Sequence, residues 1–426
     1  MAAAIHPQST AAAARQAVWA ASIGNVLEWY DFSVYGFFAA LIGRNFFPTG
    51  DDVTELLASF AAFGVGFLAR PLGGIVIGRL GDVKGRKTAL LLSIFLMAGG
   101  TLMIGVVPTY AGIGIAAPAL VFVARLIQGF SAGGQWGGST TFIVEWSESG
   151  RRGFYGSFQQ CSVVAGILLG SLLGALVNTV LMPDQVASWG WRIPFLLGGL
   201  LVPVGFCMRR TIDETPAYRK SAQESPAAAA GPAPFRLAAR AFGFTVLWTV
   251  VFYIYLTYMP TFTKSYARLS SAEALWSNTI GLIVLIVAIP LMGAFSDRVG
   301  RRPLLLACCA AFIVLPYPVA RLFLSGPPFA VIVLVQIAFG AIISLFSGPG
   351  PAAISEIFPT RSRSTWMTTG YALATAIFGG FAPYIASWLI KETGNPVSWV
   401  YYVMGAAVVT AATIYRLEET AHKPLR

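Results

Sequence analysis

The chain has 426 residues, of which 56% are hydrophobic and only 11% charged, with a mean hydropathy of +0.70. A soluble globular domain carries about twice that charged fraction, so the composition excludes one and points to a bilayer. The net charge of +11 needs no nucleic-acid partner, because the positions of the basic residues account for it.

A helix crossing the hydrocarbon core needs about 20 residues, and twelve apolar stretches of that order follow one another. They fall near 18–42, 53–78, 88–108, 117–144, 153–181, 191–209, 240–263, 273–296, 303–324, 329–355, 362–390 and 397–416. The runs lack the period-two alternation of barrel strands. The expected fold is therefore an all-α membrane protein of twelve transmembrane helices in two six-helix bundles. Of the Lys and Arg residues in the connections, 21 fall on one side and 6 on the other. By the positive-inside rule both termini are cytoplasmic, in a plasma (inner) membrane. Cys161, Cys207, Cys308 and Cys309 all lie within expected spans, which argues against a disulfide framework. The Ala-rich start reads as leading into an uncleaved first span.

The expected organisation is a tail over 1–17, a bundle over 18–209, a linker over 210–239 rich in Ala, Pro and charge, a second bundle over 240–416 and a tail over 417–426. Landmarks repeat between the bundles. GRLGDVKGRK follows the second span and GAFSDRVGRR the eighth, so that Gly78, Asp82, Gly85, Arg86 and Lys87 recur 215 residues later as Gly293, Asp297, Gly300, Arg301 and Arg302. Glu145, followed by Arg151 and Arg152, recurs as Glu356, followed by Arg361 and Arg363. Such loops can latch one face: the Asp carboxylate caps a helix N-terminus or meets the arginines of the next loop, while Gly permits positive φ. Asp82, Arg86, Glu145, Arg151, Arg152, Asp297, Arg301, Glu356 and Arg361 are accordingly expected to form a cytoplasmic gate. Anchoring at the membrane surface is the plainer reading of any one such loop.

These loops and the 6+6 plan resemble the major facilitator superfamily. GNVLEWYDFSVYGFF (24–38), GFLARPLGGIVIGRLGD (66–82), RLIQGFSAGG (125–134), RRGFYGSFQQ (151–160) and WGWRIPF (189–195) narrow the resemblance to its metabolite:proton symporter family. Members of that family carry citrate, 2-oxoglutarate and other dicarboxylates, shikimate, or proline and betaine. In relatives an acid usually stands where this chain has Gln135. The amide cannot titrate, and the loss of a negative charge favours an organic anion over a zwitterion.

Four ionisable residues fall well inside expected spans: Glu28 and Asp31 in the first, Arg70 in the second and Arg125 in the fourth. Each costs roughly 2.5–3.5 kcal/mol at a helix centre on insertion scales, so pairing is expected. Asn25, Glu28, Asp31 and Tyr35 share one helical face, and Arg125, Gln128 and Gln135 another. A permanent structural ion pair is one reading. The other is coupling: Asp31, paired with Arg125 when ionised, releases the guanidinium to a substrate carboxylate when protonated, with Glu28 as the reserve proton site. Arg70 is either a second anion contact or the counter-ion of Glu28. The second half offers Tyr255, Tyr258 and Trp366 as candidate contacts, together with Trp248, Asn278, Ser344, Ser347 and Tyr371, although aromatic stripes at this spacing also serve packing.

His6 and His422 lie in the tails, and no phosphate-binding Gly-Lys-Ser/Thr loop is present. The reading is a non-enzymatic, monomeric, proton-coupled symporter that takes up a small di- or tricarboxylate by alternating access. It uses no cofactor beyond the coupling proton. The alternatives are symport of a zwitterion or monocarboxylate, proton-coupled efflux, and a non-transporting membrane sensor.

Overall fold

The computed structural model describes residue 22, residues 25–84, 86–133, 136, 139–140, 143–144, 147, 150–200, 235–358 and 363–421, and residue 423. Twelve helical segments among them follow the expected spans. In the first half α1 covers residues 25–37 and, after a turn at Phe38, Ala39–Phe46. α2 is Asp52–Leu68 continued by Arg70–Lys84, α3 is Arg86–Val106 and α4 is Ala116–Ala132, with later described residues still helical up to 144. α5 is Arg152–Val180 and α6 begins at Arg192–Leu197. The second half starts with α7, which runs from Phe235–Tyr253 through a widened π-type turn at Ile254–Tyr258 into Met259–Tyr266. There follow α8 (Ser271–Val299), α9 (Arg301–Val314 and Pro316–Leu324), α10 (Phe329–Ser347 and Gly350–Glu356), α11 (Arg363–Ala374, a second π-type turn at Thr375–Gly379, and Ala382–Thr393) and α12 (Trp399–Tyr415).

Six described helices are long and apolar enough to cross a membrane unaided, and α9 qualifies as a pair bent by 44° at Pro316. Proline explains that bend and the break in α2, because it supplies no backbone N–H and its ring crowds the preceding turn. Aliphatic side chains cover the outside of the bundle: Ile75, Ile115, Val180, Val314 and Leu334 are all exposed. This is the surface that lipid tails cover in a membrane protein.

Glycine sets how close α2 and α4 come. A Cβ on Gly129 would enter the backbone carbonyl of Gly66, and one on Gly133 would enter that of Arg70. Small residues at such a crossing let helices meet backbone to backbone. The close approach carries Arg125, one turn before Gly129, into the interior with no exposed surface. The halves meet along α5 and α8, where Ser171 bonds to Thr279 at 2.8 Å, and along α2 and α11, where Gly64 faces Phe381.

Candidate binding and coupling site

α1 presents its polar face to the interior. Asn25 donates to Ser162 Oγ of α5 at 3.2 Å, and Tyr35 O–H donates to the Ser59 carbonyl of α2 at 3.2 Å. Between them lie Glu28 and Asp31, both buried. Arg70 donates to Glu28 at 3.1 Å, so the two form a buried ion pair in this conformation.

The expected direct pair of Asp31 with Arg125 does not form. Arg125 Nη1 donates to Gln128 Oε1 at 2.9 Å and Nη2 to the Phe63 carbonyl at 3.3 Å. Its guanidinium also lies over the rings of Tyr35 (4.5 Å), Phe32 (4.7 Å) and Phe63 (4.9 Å), contacts that attract a desolvated cation. Arg70 stands 4.7 Å from the same Phe32 ring, so this side chain is shared by the two guanidinium groups. Neither Asp31 oxygen has a formed hydrogen bond, and the Thr101 side chain of α3 lies beside it. Gln128 Nε2 donates to Thr101 Oγ1 at 2.8 Å. Thr101 O–H itself donates to the Met97 carbonyl at 3.0 Å, so the hydrogen-bonded chain from Arg125 runs through Gln128 to Thr101 and ends beside Asp31. Helical phase explains the difference: Gln128 stands one turn from Arg125 on the same face and reaches the guanidinium first.

Of the remaining candidates, Gln135, Glu145 and Arg361 lie outside the described residues, as do the side chains of Asp82 and Arg86. Tyr258 lines a cleft of about 650 Å³ between the halves and packs on Phe60. Tyr255 points away from the charges into its own half, against Phe339, Phe312 and Trp399. Trp366 is half-buried against the second-half core. Arg192 donates to the carbonyls of Gly105 and Val107 at 2.8 Å each, closing the C-terminal end of α3. Asn278 bonds to Ser171 and to the Leu256 carbonyl.

Tyr253 is absent from the sequence candidates. It reaches across from α7 to pack on Phe67, Trp29 and Phe63 of the first half, at ring-centroid distances of 5.2, 5.8 and 6.0 Å. Trp136 of α4 stacks flat on Tyr371 of α11 at 3.5 Å and meets Trp248 of α7 edge-on. Aromatic rings from the two halves thus meet across the interface between them.

That face is tied shut across the halves. The Asp297 carboxylate of α8 accepts from the backbone N–H groups of Gly153 and Phe154, at 2.9 Å each, at the start of α5. Here an anion meets the unsatisfied donors and positive end of a helix. Arg301 pairs with Asp297 at 2.8 Å and with Glu356 at 3.4 Å, and Arg152 approaches Glu356 at 3.8 Å. Arg151 is exposed and stands just before α5. Gly300 adopts φ +100, the conformation expected of it in the loop. Sequence reading passed over the C-terminal tail, which joins this network. Glu419 accepts from the N–H groups of Arg301, Arg302, Thr420 and Ala421, and Arg152 donates to the Lys423 carbonyl. Burial works against the Glu419 charge, but these backbone bonds outweigh it and hold the carboxyl below its ordinary range. On the opposite face the cleft is bridged at its rim, where Lys391 donates to Asp51 (3.3 Å) and Thr54 (2.7 Å).

Two half-bundles around a central charge cluster, latched at one face and cleft at the other, are the architecture of a secondary transporter. Residues 17–233 match the "Sugar (and other) transporter" family model and residues 264–426 match the "Major Facilitator Superfamily" model. The chain is 36% identical to a citrate-proton symporter of Klebsiella pneumoniae, covering 98% of this chain and 95% of that protein. It is 37% identical to an alpha-ketoglutarate permease of Escherichia coli, covering 94% and 93%, and 34% identical to a proline/betaine transporter of E. coli, covering 97% and 85%. Among solved structures, a partially occluded inward open conformation of the xylose transporter XylE from E. coli superimposes with a TM-score of 0.76, covering 96% and 98%, at 18% identity. The chain belongs to the major facilitator superfamily. It is a multi-pass membrane protein, and its similar relatives are proton-coupled or related metabolite carriers.

Proposed function

We propose that the protein is a proton-coupled symporter that takes up a small organic anion, a di- or tricarboxylate such as citrate or 2-oxoglutarate, by alternating access. The observation that carries this reading is the state of Arg125. It is wholly buried and forms no ion pair with any described carboxylate, yet aromatic faces and two neutral acceptors keep it in place. A guanidinium held this way favours a bidentate carboxylate from the substrate.

Asp31 supplies the coupling. A proton on Asp31 removes a buried negative charge near the incoming anion, and the bound anion in turn draws the proton, as reciprocal linkage requires. Gln128 bonds both Arg125 and Thr101, whose side chain lies beside Asp31, so the two sites share one buried polar neighbourhood without direct contact. The Glu28–Arg70 pair is the fixed, mutually neutralised neighbour. Both termini, the Asp297 latch and the tail are cytoplasmic on the positive-inside count, which makes this conformation closed to the cytoplasm and cleft toward the outside. The protein works as a monomer in the inner membrane. It has no enzymatic activity and no cofactor besides the coupling proton.

The test is uptake into proteoliposomes of labelled citrate, 2-oxoglutarate, succinate, shikimate and betaine under an imposed pH gradient, with and without a protonophore. Accumulation of a di- or tricarboxylate that collapses with the protonophore supports the reading. Accumulation of betaine alone, or of nothing, refutes it.

A further inference from the structure

Tyr253 and Thr249 stand one turn apart on α7, both buried, and neither hydroxyl has a hydrogen-bond partner. Buried hydroxyls without partners are costly, and here two of them line the same small cavity, of about 10 Å³, walled by Trp29 and Gln160 on the first-half side. The π-type turn of α11 packs tightly on both residues. A Cβ on Gly379 would collide with Thr249 Oγ1 and with the Tyr253 ring. Tyr253 and Arg125 stand against the same residue, Phe63, with the Tyr253 ring 6.0 Å from its centroid and the guanidinium 4.9 Å. Tyr253 of the second half thus stands across a single ring from the guanidinium of the first half, with Thr249 one turn before it on the same helix.

We propose that Tyr253 and Thr249 form a second anion subsite, taking the far carboxylate of a dicarboxylate whose near carboxylate is held by Arg125. This assignment deepens the organic-anion reading and rests on it. The hydroxyls donate and the carboxylate accepts, in a dry site where charge-assisted bonds are strong. Because one anchor belongs to each half, a substrate long enough to reach both draws the halves together, and a monocarboxylate does not. The cavity is too small for a carboxylate in this closed conformation, so the subsite opens when Tyr253 withdraws from Phe67 as the halves separate.

The test compares whichever of citrate, 2-oxoglutarate and succinate the wild type accumulates best with its mono-amide, in proteoliposomes. The variants are Tyr253→Phe and Thr249→Val, which each remove a donor and preserve shape. Thermal stability in detergent confirms that they are folded. Each is expected to raise KM for the acid by about tenfold, while inhibition by the mono-amide changes by less than about twofold. An unchanged KM in both variants, or equal losses for acid and mono-amide, overturns the subsite and leaves the uptake reading intact. Wild-type accumulation of shikimate but of no di- or tricarboxylate also overturns it. If the wild type accumulates no anion at all, the uptake reading itself falls, and the subsite falls with it.

Discussion

Asp297→Asn tests how far the latch, and not the membrane, sets the balance between conformations. The carboxylate accepts two backbone N–H bonds of 2.9 Å from α5 and pairs with Arg301 at 2.8 Å, and its side chain is only 7% exposed. Bonds to a charged acceptor contribute about 1.5–3 kcal/mol each and neutral ones about half of that. Asn keeps one acceptor oxygen, so the substitution removes one bond and weakens the other, a loss of about 2.3–4.5 kcal/mol. The loss is felt only in the conformation where α5 and α8 meet at this end. The ratio of latched to unlatched molecules should therefore fall roughly 40- to 1,600-fold, at about 1.4 kcal/mol per factor of ten. Spin labels placed on exposed Tyr155 and Arg298, after substitution by cysteine, report the separation of the two helix ends. The expected result is a new, longer distance population in Asp297→Asn. An unchanged distribution would refute the claim that this carboxylate holds the face shut.

Removing one partner of the buried Glu28–Arg70 pair, as in Glu28→Gln, leaves an uncompensated cation and should cost about 3–5 kcal/mol. Thermal melting should show the double variant Glu28→Gln with Arg70→Met to be more stable than Glu28→Gln alone, and the opposite order would mean that the pair is not self-contained. Gly129→Ala drives a methyl group into the Gly66 carbonyl, where only backbone movement can relieve it, so it should abolish transport or lower expression sharply while Gly99→Ala, which meets nothing within 4 Å, is tolerated in the same uptake assay. The Glu419 carboxyl titrates below its ordinary range in the folded state, so its contribution to tail docking is present above that ordinary range and is lost as pH falls through the folded value. Hydrogen exchange at the Arg301 and Arg302 amides should therefore be slow at neutral pH and accelerate relative to neighbouring amides as the pH falls past the ordinary carboxylate range, and Glu419→Gln should exchange fast throughout.

The fold was legible because its signals are long and redundant: twelve apolar runs, a basic bias on one side, and loops repeating at 215 residues. The Asp297 latch was legible in its chemistry, since Asp followed by Gly-Arg marks both the cap and the positive-φ turn. Pairings inside the bundle were less so. Helical phase put Asp31 and Arg125 on inward faces, but only the packed structure shows Gln128 reaching the guanidinium first and Arg70 taking Glu28. Tyr255 was expected at the site and Tyr253 was not. Two positions along a helix differ by about 200°, and without knowing which face of α7 meets the first half, the tyrosine nearest the charges could not be chosen. The π-type turns beginning at Ile254 and Thr375 shift that phase further and leave no mark in the composition. The role of the tail was hidden for another reason: Glu419 acts through backbone donors, and these have no sequence signature.

The central claim is that Asp31 carries the coupling proton while Arg125 carries the substrate. It is tested most directly by Asp31→Asn in proteoliposomes, recording substrate-driven proton uptake with an internal pH dye and, separately, exchange of labelled substrate across the membrane at equal concentrations. The account predicts that exchange persists while substrate-driven proton uptake disappears. Proton uptake at the wild-type rate in Asp31→Asn would contradict it.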